Sequence, residues 1–184
     1  MKKKMKKLSK YCFLIILLSW NLNNVFAQLD SCILISGEDY QGTLFQENYN
    51  IDISPDKSGK LLKKPIEYIN INEIKKWTPT TKEIVDFEQS LFSILGNYRP
   101  KNDYQKSNID YILKELANYN RQYIGFIDSL SNKCLYINFY KSKEKLIVPD
   151  NNVRMVLGGG ANYFSLWFNL TEKKVIELII NGPI

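Results

Sequence analysis

A chain of 184 residues, with 25 Lys and Arg against 19 Asp and Glu, has room for one domain with a sizeable core or for a smaller domain with an extension. It contains no histidine, which excludes a Ser-His-Asp triad, a Cys-His pair and every His-ligated zinc or iron site. Carboxylate pairs, Ser-Lys arrangements and tyrosine or arginine chemistry survive that exclusion.

The first element is an address. Residues 1–10 carry Lys2, Lys3, Lys4, Lys6, Lys7 and Lys10 and no acid. An apolar run from Cys12 to Trp20 follows, and then Val25-Phe26-Ala27, a small-residue cleavage site. That order is the order of a secretory signal peptide over residues 1–27. The apolar run is too short for a bilayer, which takes about 20 residues to cross. The expectation is an exported protein, periplasmic or extracellular, with no membrane span. Without residues 1–27 the charges balance at 19 basic and 19 acidic. The mature chain therefore lacks the basic excess of a nucleic-acid-binding domain, and no nucleic-acid partner is expected. Basic clusters at 60–64 and 141–145 read as solvated loops. In an oxidising compartment Cys32 and Cys134 either pair or stay apart, with Cys134 buried on a strand. Two cysteines cannot build a four-cysteine zinc site, and no metal or cofactor is expected.

Residues 28–76 read as an irregular N-terminal extension with short strands. Cys32 to Ser36 is strand-like, Gly37 to Gly42 and Ser54 to Gly59 are turn-like, and Ile66 to Asn72 alternates as a strand does. From residue 77 the pattern becomes helical. Thr78 with Pro79, or Thr80 with Glu83, can open a helix. Ile84, Phe87, Leu91, Ile94 and Leu95 then recur at helical spacing until Gly96. A polar loop containing Pro100 leads to a second helix, capped by Ser107 with Asp110 and ending near Asn120.

The remainder reads as strands. Gln122 to Ser129 and Cys134 to Tyr140 are joined by a tight turn at 130–133, Val153 to Leu157 is a third strand, and Gly158-Gly159-Gly160 breaks it. Asn162 to Leu170 and Val175 to Asn181 complete an antiparallel meander, with the helix on its apolar face. In the penultimate strand Phe164, Leu166, Phe168 and Leu170 share one face; in the last, Ile176, Leu178 and Ile180 do. The glycines have neither the Gly-Lys-Ser/Thr nor the following helix of a phosphate loop; they read as a bulge or sharp turn that curls the sheet.

Several of these residues carry a resemblance: Trp77-Thr78-Pro79 before a helix, Arg121-Gln122-Tyr123-Ile124-Gly125 opening a strand, Leu135 to Phe139 in the next, Gly158 to Gly160 with Tyr163-Phe164, and Asn181-Gly182. Over 77–184 the chain resembles small secreted proteins of Bacteroidetes-type bacteria, largely of unknown function. The resemblance implies an α+β fold over 77–184: a helix packed on a curled antiparallel sheet of four to five strands, a cystatin-like or NTF2-like roll. That group carries an Asp before the glycines where this chain has Leu157, so the resemblance implies no role for the turn.

Arg121, Tyr123, Tyr136, Tyr163 and Trp167 are the candidate binding residues, an aromatic and cationic patch on the concave sheet face. Tyr, Trp and Arg dominate binding hot spots, and aromatic platforms suit sugar rings; the alternative is cross-strand packing around one structural Arg. Asp128 and Glu177 are the carboxylates well inside strands, as a glycosidase would need, but no spacing brings them together. The sequence thus favours an exported, non-catalytic binding protein for a protein or cell-envelope glycan. An inhibitor or immunity protein against a secreted enzyme or toxin is the second reading, and a small carboxylate-dependent envelope hydrolase the third.

Overall fold

The computed structural model describes residues 31–49, 75–142, 144–154, 156 and 158–182. The signal-like segment 1–27, the basic cluster at 60–64, the turn at 54–59 and the alternating stretch 66–72 lie outside them.

The architecture is α+β. In chain order come β1 (Cys32–Ser36), β2 (Gln41–Phe45), β3 (Lys75–Lys76), α1 (Thr81–Gly96), α2 (Asp103–Lys114), a 3-10 turn (Leu116–Asn118), β4 (Tyr119–Ile127), β5 (Lys133–Lys141), a second 3-10 turn (Gly160–Asn162), β6 (Tyr163–Asn169) and β7 (Lys174–Ile180). The strands form one open, seven-stranded sheet in the order β1-β2-β4-β5-β6-β7, with the short β3 also on β4. This corrects the expectation of four to five strands in a purely antiparallel meander. The sheet is mixed, because β2 runs parallel to β4, from Gln41 beside Asn120 to Phe45 beside Ile124. A parallel pair needs a crossover, and here both helices lie in the chain between the two strands. Strands β1 to β3 fall within 28–76, expected as an irregular extension, and are built into the sheet; of the three only β1 matches an expected strand, and the turn read at Gly37 to Gly42 gives way to β2 at Gln41.

Helix α1 starts where a capping box places it. The Thr80 hydroxyl accepts from Glu83 N, and the Glu83 carboxylate accepts from Thr80 N at 2.8 Å. Of the two openings read in the sequence, the Thr80 one forms. Ile84, Phe87, Leu91 and Leu95 are buried along one stripe against the sheet. Helix α2 begins earlier than Ser107: Asn102 is its cap, accepting from Gln105 N at 2.9 Å, and it ends at Lys114, leaving 119–121 to β4. Gln105 is buried and donates to the Leu178 carbonyl at 2.8 Å, so α2 closes part of the free edge of β7.

The expected strand at Val153 to Leu157 does not form among its described residues. Strand β5 already pairs with β4 on one side and β6 on the other, so no edge of β5 is open to it. A bulge between Trp167 and Phe168 corrects a second expectation: Trp167 faces Glu177 and Phe168 faces Val175. Val175 therefore joins the core cluster, and Ile176, placed on the apolar face by simple alternation, is 44% exposed. Gly158, Gly159 and Gly160 have φ of 123°, 83° and 58°, a left-handed run that only glycine adopts without strain.

The inner face of the sheet is covered and the outer face is covered in part, with Tyr136, Asn138, Tyr163 and Ser165 half-buried on it. The inner face packs Leu44, Tyr123, Leu135, Ile137, Phe139, Phe164, Leu166 and Leu178 under the helices. The outer face carries two smaller clusters, one of Cys32, Phe45, Tyr49 and Ile124, the other of Phe126, Cys134 and Trp167. The loop 144–154 is bonded onto this face. Cys32 and Cys134 are free and buried, one in each cluster.

Candidate functional site

The five candidate binding residues do not share a surface. Arg121 and Tyr123 lie on the inner face beneath the helices, and both are buried. Tyr136 and Trp167 lie on the outer face with ring centroids 4.8 Å apart, and Trp167 also meets Phe126 at 5.2 Å. Trp167 is buried, and burial raises the Tyr136 hydroxyl to a pKa of about 12. Tyr163 is half-buried on that same face, its ring against Gly159. The physical reason is the two-residue period of a strand. Arg121 and Tyr123 stand opposite Phe139 and Ile137 of β5, whereas Tyr136, Tyr163 and Trp167 point the other way.

Asp128 and Glu177 each have a structural partner. Asp128 Oδ1 accepts from Leu130 N and Asn132 N at 2.9 and 2.8 Å, closing the turn between β4 and β5. Burial opposes its ionisation, but these bonds and one from the Asn132 side chain outweigh it and hold the carboxyl below its ordinary pKa. Glu177 pairs with Lys101 at 3.2 Å.

What the structure assembles instead is centred on Arg121 and Glu88 of α1. Their side chains are 2% and 4% exposed, with Arg121 Nε 3.4 Å from the Glu88 carboxylate. Tyr123 donates its hydroxyl to Glu88 at 2.7 Å. Arg121 Nη1 donates to the Tyr119 carbonyl, and the guanidinium carbon sits 5.8 Å from the ring centres of Tyr40 and Phe139. The Nε–H has no partner with hydrogen-bond geometry. Gly42 stands opposite Arg121 across β2 and β4, and a Cβ there would meet the Arg121 carbonyl at 2.4 Å, so a larger residue would push the strands apart.

Burial raises the Glu88 carboxyl above its ordinary pKa, opposed by the Arg121 charge and by the hydrogen bond from Tyr123. Burial also raises Tyr123 well above its usual value, and the Glu88 charge adds to this. Tyr40 is raised by burial first and then by Glu88.

This pair forms the floor of a cleft of about 640 Å³. One wall is the β1–β2 turn, with Glu38, Asp39 and Tyr40; another is α1, with Val85, Gln89 and Phe92; the third is the end of α2 with Leu116 of the 3-10 turn. Phe92 is 62% exposed at its mouth. A groove of about 390 Å³ also runs along α1; of its charged groups Glu83, Lys133 and Asp86 are paired at the surface, and Lys173 is exposed. The described residues contain no cluster of three or more Cys, Asp or Glu able to hold a metal.

Of this site the sequence reading found Arg121 and Tyr123 and missed Glu88, Tyr40 and Phe92. Glu88 left a signal: it lies four residues after Ile84 and three before Leu91, a charge on the stripe that packs on the sheet. Comparison with protein-family models, with curated proteins and with solved structures finds no match to this chain.

Proposed function

We propose that this chain is an exported, non-catalytic binding protein whose ligand, a segment of a cell-envelope glycan or of a protein, enters the cleft above Arg121 and Glu88. The observation that carries the reading is the charged pair buried at the floor of that cleft. A buried ion pair adds little net stability, since desolvation offsets its attraction. Perturbed titratable groups at the base of a cleft lined by both apolar and polar side chains point to a binding or reactive site. Val85, Phe92 and Leu116 offer apolar contact, and Glu38, Asp39 and Gln89 offer polar contact, as a sugar ring or a short peptide needs. Export is supported by the signal-like residues 1–27, and kinship with the cystatin-like or NTF2-like rolls by a helix packed on one face of the sheet. The cleft is preferred to the sheet face as the place of binding because the five aromatic and cationic candidates are divided between the two faces of the sheet.

The test is a thermal-shift titration of the mature chain with peptidoglycan fragments and short peptides, repeated on Phe92→Ala and Gln89→Ala. Both residues are exposed, so the variants should keep the melting temperature of the unliganded protein. A ligand that raises the wild-type melting temperature, and does so about tenfold more weakly in Phe92→Ala, supports the reading. A ligand unaffected by both variants places binding elsewhere.

A further inference from the structure

The loop between β5 and β6 holds two adjacent aliphatic side chains in water. Ile147 is 86% exposed and Val148 65%. Single exposed aliphatics are ordinary, but these two sit at the tip of a loop whose backbone is fixed on both sides of them. On one side Leu146 N donates to Gln41 Oε1 at 3.1 Å, and Gln41 Nε2 donates to the Glu144 carbonyl at 3.4 Å. On the other side Asp150 N donates to Thr43 Oγ1 at 2.7 Å. The Asp150 carboxylate accepts from Gln122 Nε2 at 3.0 Å and from the Tyr140 hydroxyl at 2.5 Å. Gln122 then holds the descending limb, donating to the Asn152 carbonyl at 2.9 Å and accepting from Arg154 N at 2.9 Å. The sheet thus keeps Ile147 and Val148 from folding back onto apolar surface.

We propose that this tip docks on an anionic lipid surface, with Ile147 and Val148 entering the interface and the neighbouring Lys145 facing the headgroups. Three observations favour lipid over a protein pocket. The tip is purely aliphatic, whereas protein hot spots are rich in Trp, Tyr and Arg, with Val under-represented among them. Its flank carries a free cation: Lys145 is exposed and makes no ion pair among the described residues, and in the sequence Lys143 and Lys145 stand against a single acid, Glu144. The Asp150 charge is engaged by Gln122, Tyr140 and Arg154 and so does not oppose an anionic surface. A loop already fixed loses little conformational freedom on docking. The chain needs no spanning helix for this, and none of its described helices is long and apolar enough to be one.

The experiment is co-sedimentation of the full mature chain with vesicles of phosphatidylcholine alone and of phosphatidylcholine with phosphatidylglycerol. The wild type should sediment with the mixed vesicles and much less with the neutral ones. The double variant Ile147→Ser, Val148→Ser should bind about tenfold more weakly with an unchanged melting temperature. Lys145→Glu should weaken binding to the mixed vesicles only, and Val148→Trp should show a blue-shifted emission when they are added. Equal binding of wild type and double variant, or no sedimentation with either vesicle and no emission shift, overturns the proposal. So does protection of the tip by an exported protein while vesicles leave it exposed, which would make it a protein interface.

Discussion

Arg121 and Gln122 are neighbours on β4, and they serve opposite faces of the same sheet. Arg121 turns inward to Glu88 and fastens α1; Gln122 turns outward to Asp150, Asn152 and Arg154 and fastens the loop 144–154. The inner face is a continuous apolar core into which one charged pair is set. The outer face has two small apolar clusters with a layer of amides, hydroxyls and one carboxylate beside them. Helices can cover the inner face because their own backbone groups are satisfied internally, so only side chains need to match it. An irregular loop brings unpaired N–H and C=O groups with it. The face beneath must supply partners, which is what Thr43, Gln122 and Asn138 do. The difference teaches that polar residues inside strands can be a docking plan for a loop.

The sharpest way to break the inner face is Arg121→Leu, which leaves the Glu88 carboxylate buried without its cation. The expected loss is about 3–5 kcal/mol at neutral pH, read by urea unfolding. Its pH dependence carries the sign. Glu88 has a folded-state pKa above its unfolded value, so its contribution is present below an ordinary carboxylate pKa of about 4.3 and is lost as pH rises through the folded value. Removing Arg121 removes a charge that opposes this rise. The variant should therefore recover much of its deficit near pH 4. A deficit independent of pH would mean that the guanidinium acts by filling space between Tyr40 and Phe139 rather than by charge.

The outer face should respond more weakly and more locally. Gln122→Ala removes the partners of Arg154 N and of the Asn152 carbonyl, one of the two donors to Asp150 Oδ2 and the acceptor of an Asn138 amide bond together. About 2 kcal/mol is expected, since loop groups released to water regain hydrogen bonds there. Amide exchange should quicken across 144–154 while the buried turns of α1 keep their protection. If α1 loosens equally, the two faces are one cooperative unit and the contrast between them fails.

How much of this was legible depended on whether the cause was local. The stripe of α1, its Thr80-Glu83 cap and the strands β4 to β7 follow from spacing within a few residues. The parallel pairing of β2 with β4 rests on contacts about 80 residues apart, and no pattern within Gln41–Phe45 announces its partner. The bulge at Trp167 and Phe168 shifts Val175 and Ile176 by one place, which alternation within β7 cannot show. At the site, Arg121 and Tyr123 were recognisable by residue type, but their partners come from α1 and the β1–β2 turn. Val153 to Leu157 reads as a strand because it is short and mostly apolar; its described residues find no free edge on β5, a property of that strand's neighbours rather than of the segment's own residues.

The smallest effect tests whether the inner face depends on the helix as a whole or only on its buried stripe. Thr80 accepts from Glu83 N and holds the Glu83 carboxylate, whose pKa its two hydrogen bonds and Lys133 bring down against the effect of burial. Thr80→Ala removes the side-chain half of the capping box and should cost about 1 kcal/mol. Glu88 lies two turns further along and is fixed from below by Arg121 and Tyr123. Exchange should therefore quicken in the first turn of α1 and stay slow at Leu91 and Leu95. Fraying that spreads to Glu88 would show that the buried charge pair is held by the helix rather than holding it, and the ordering of the two faces by strength would then have to be reversed.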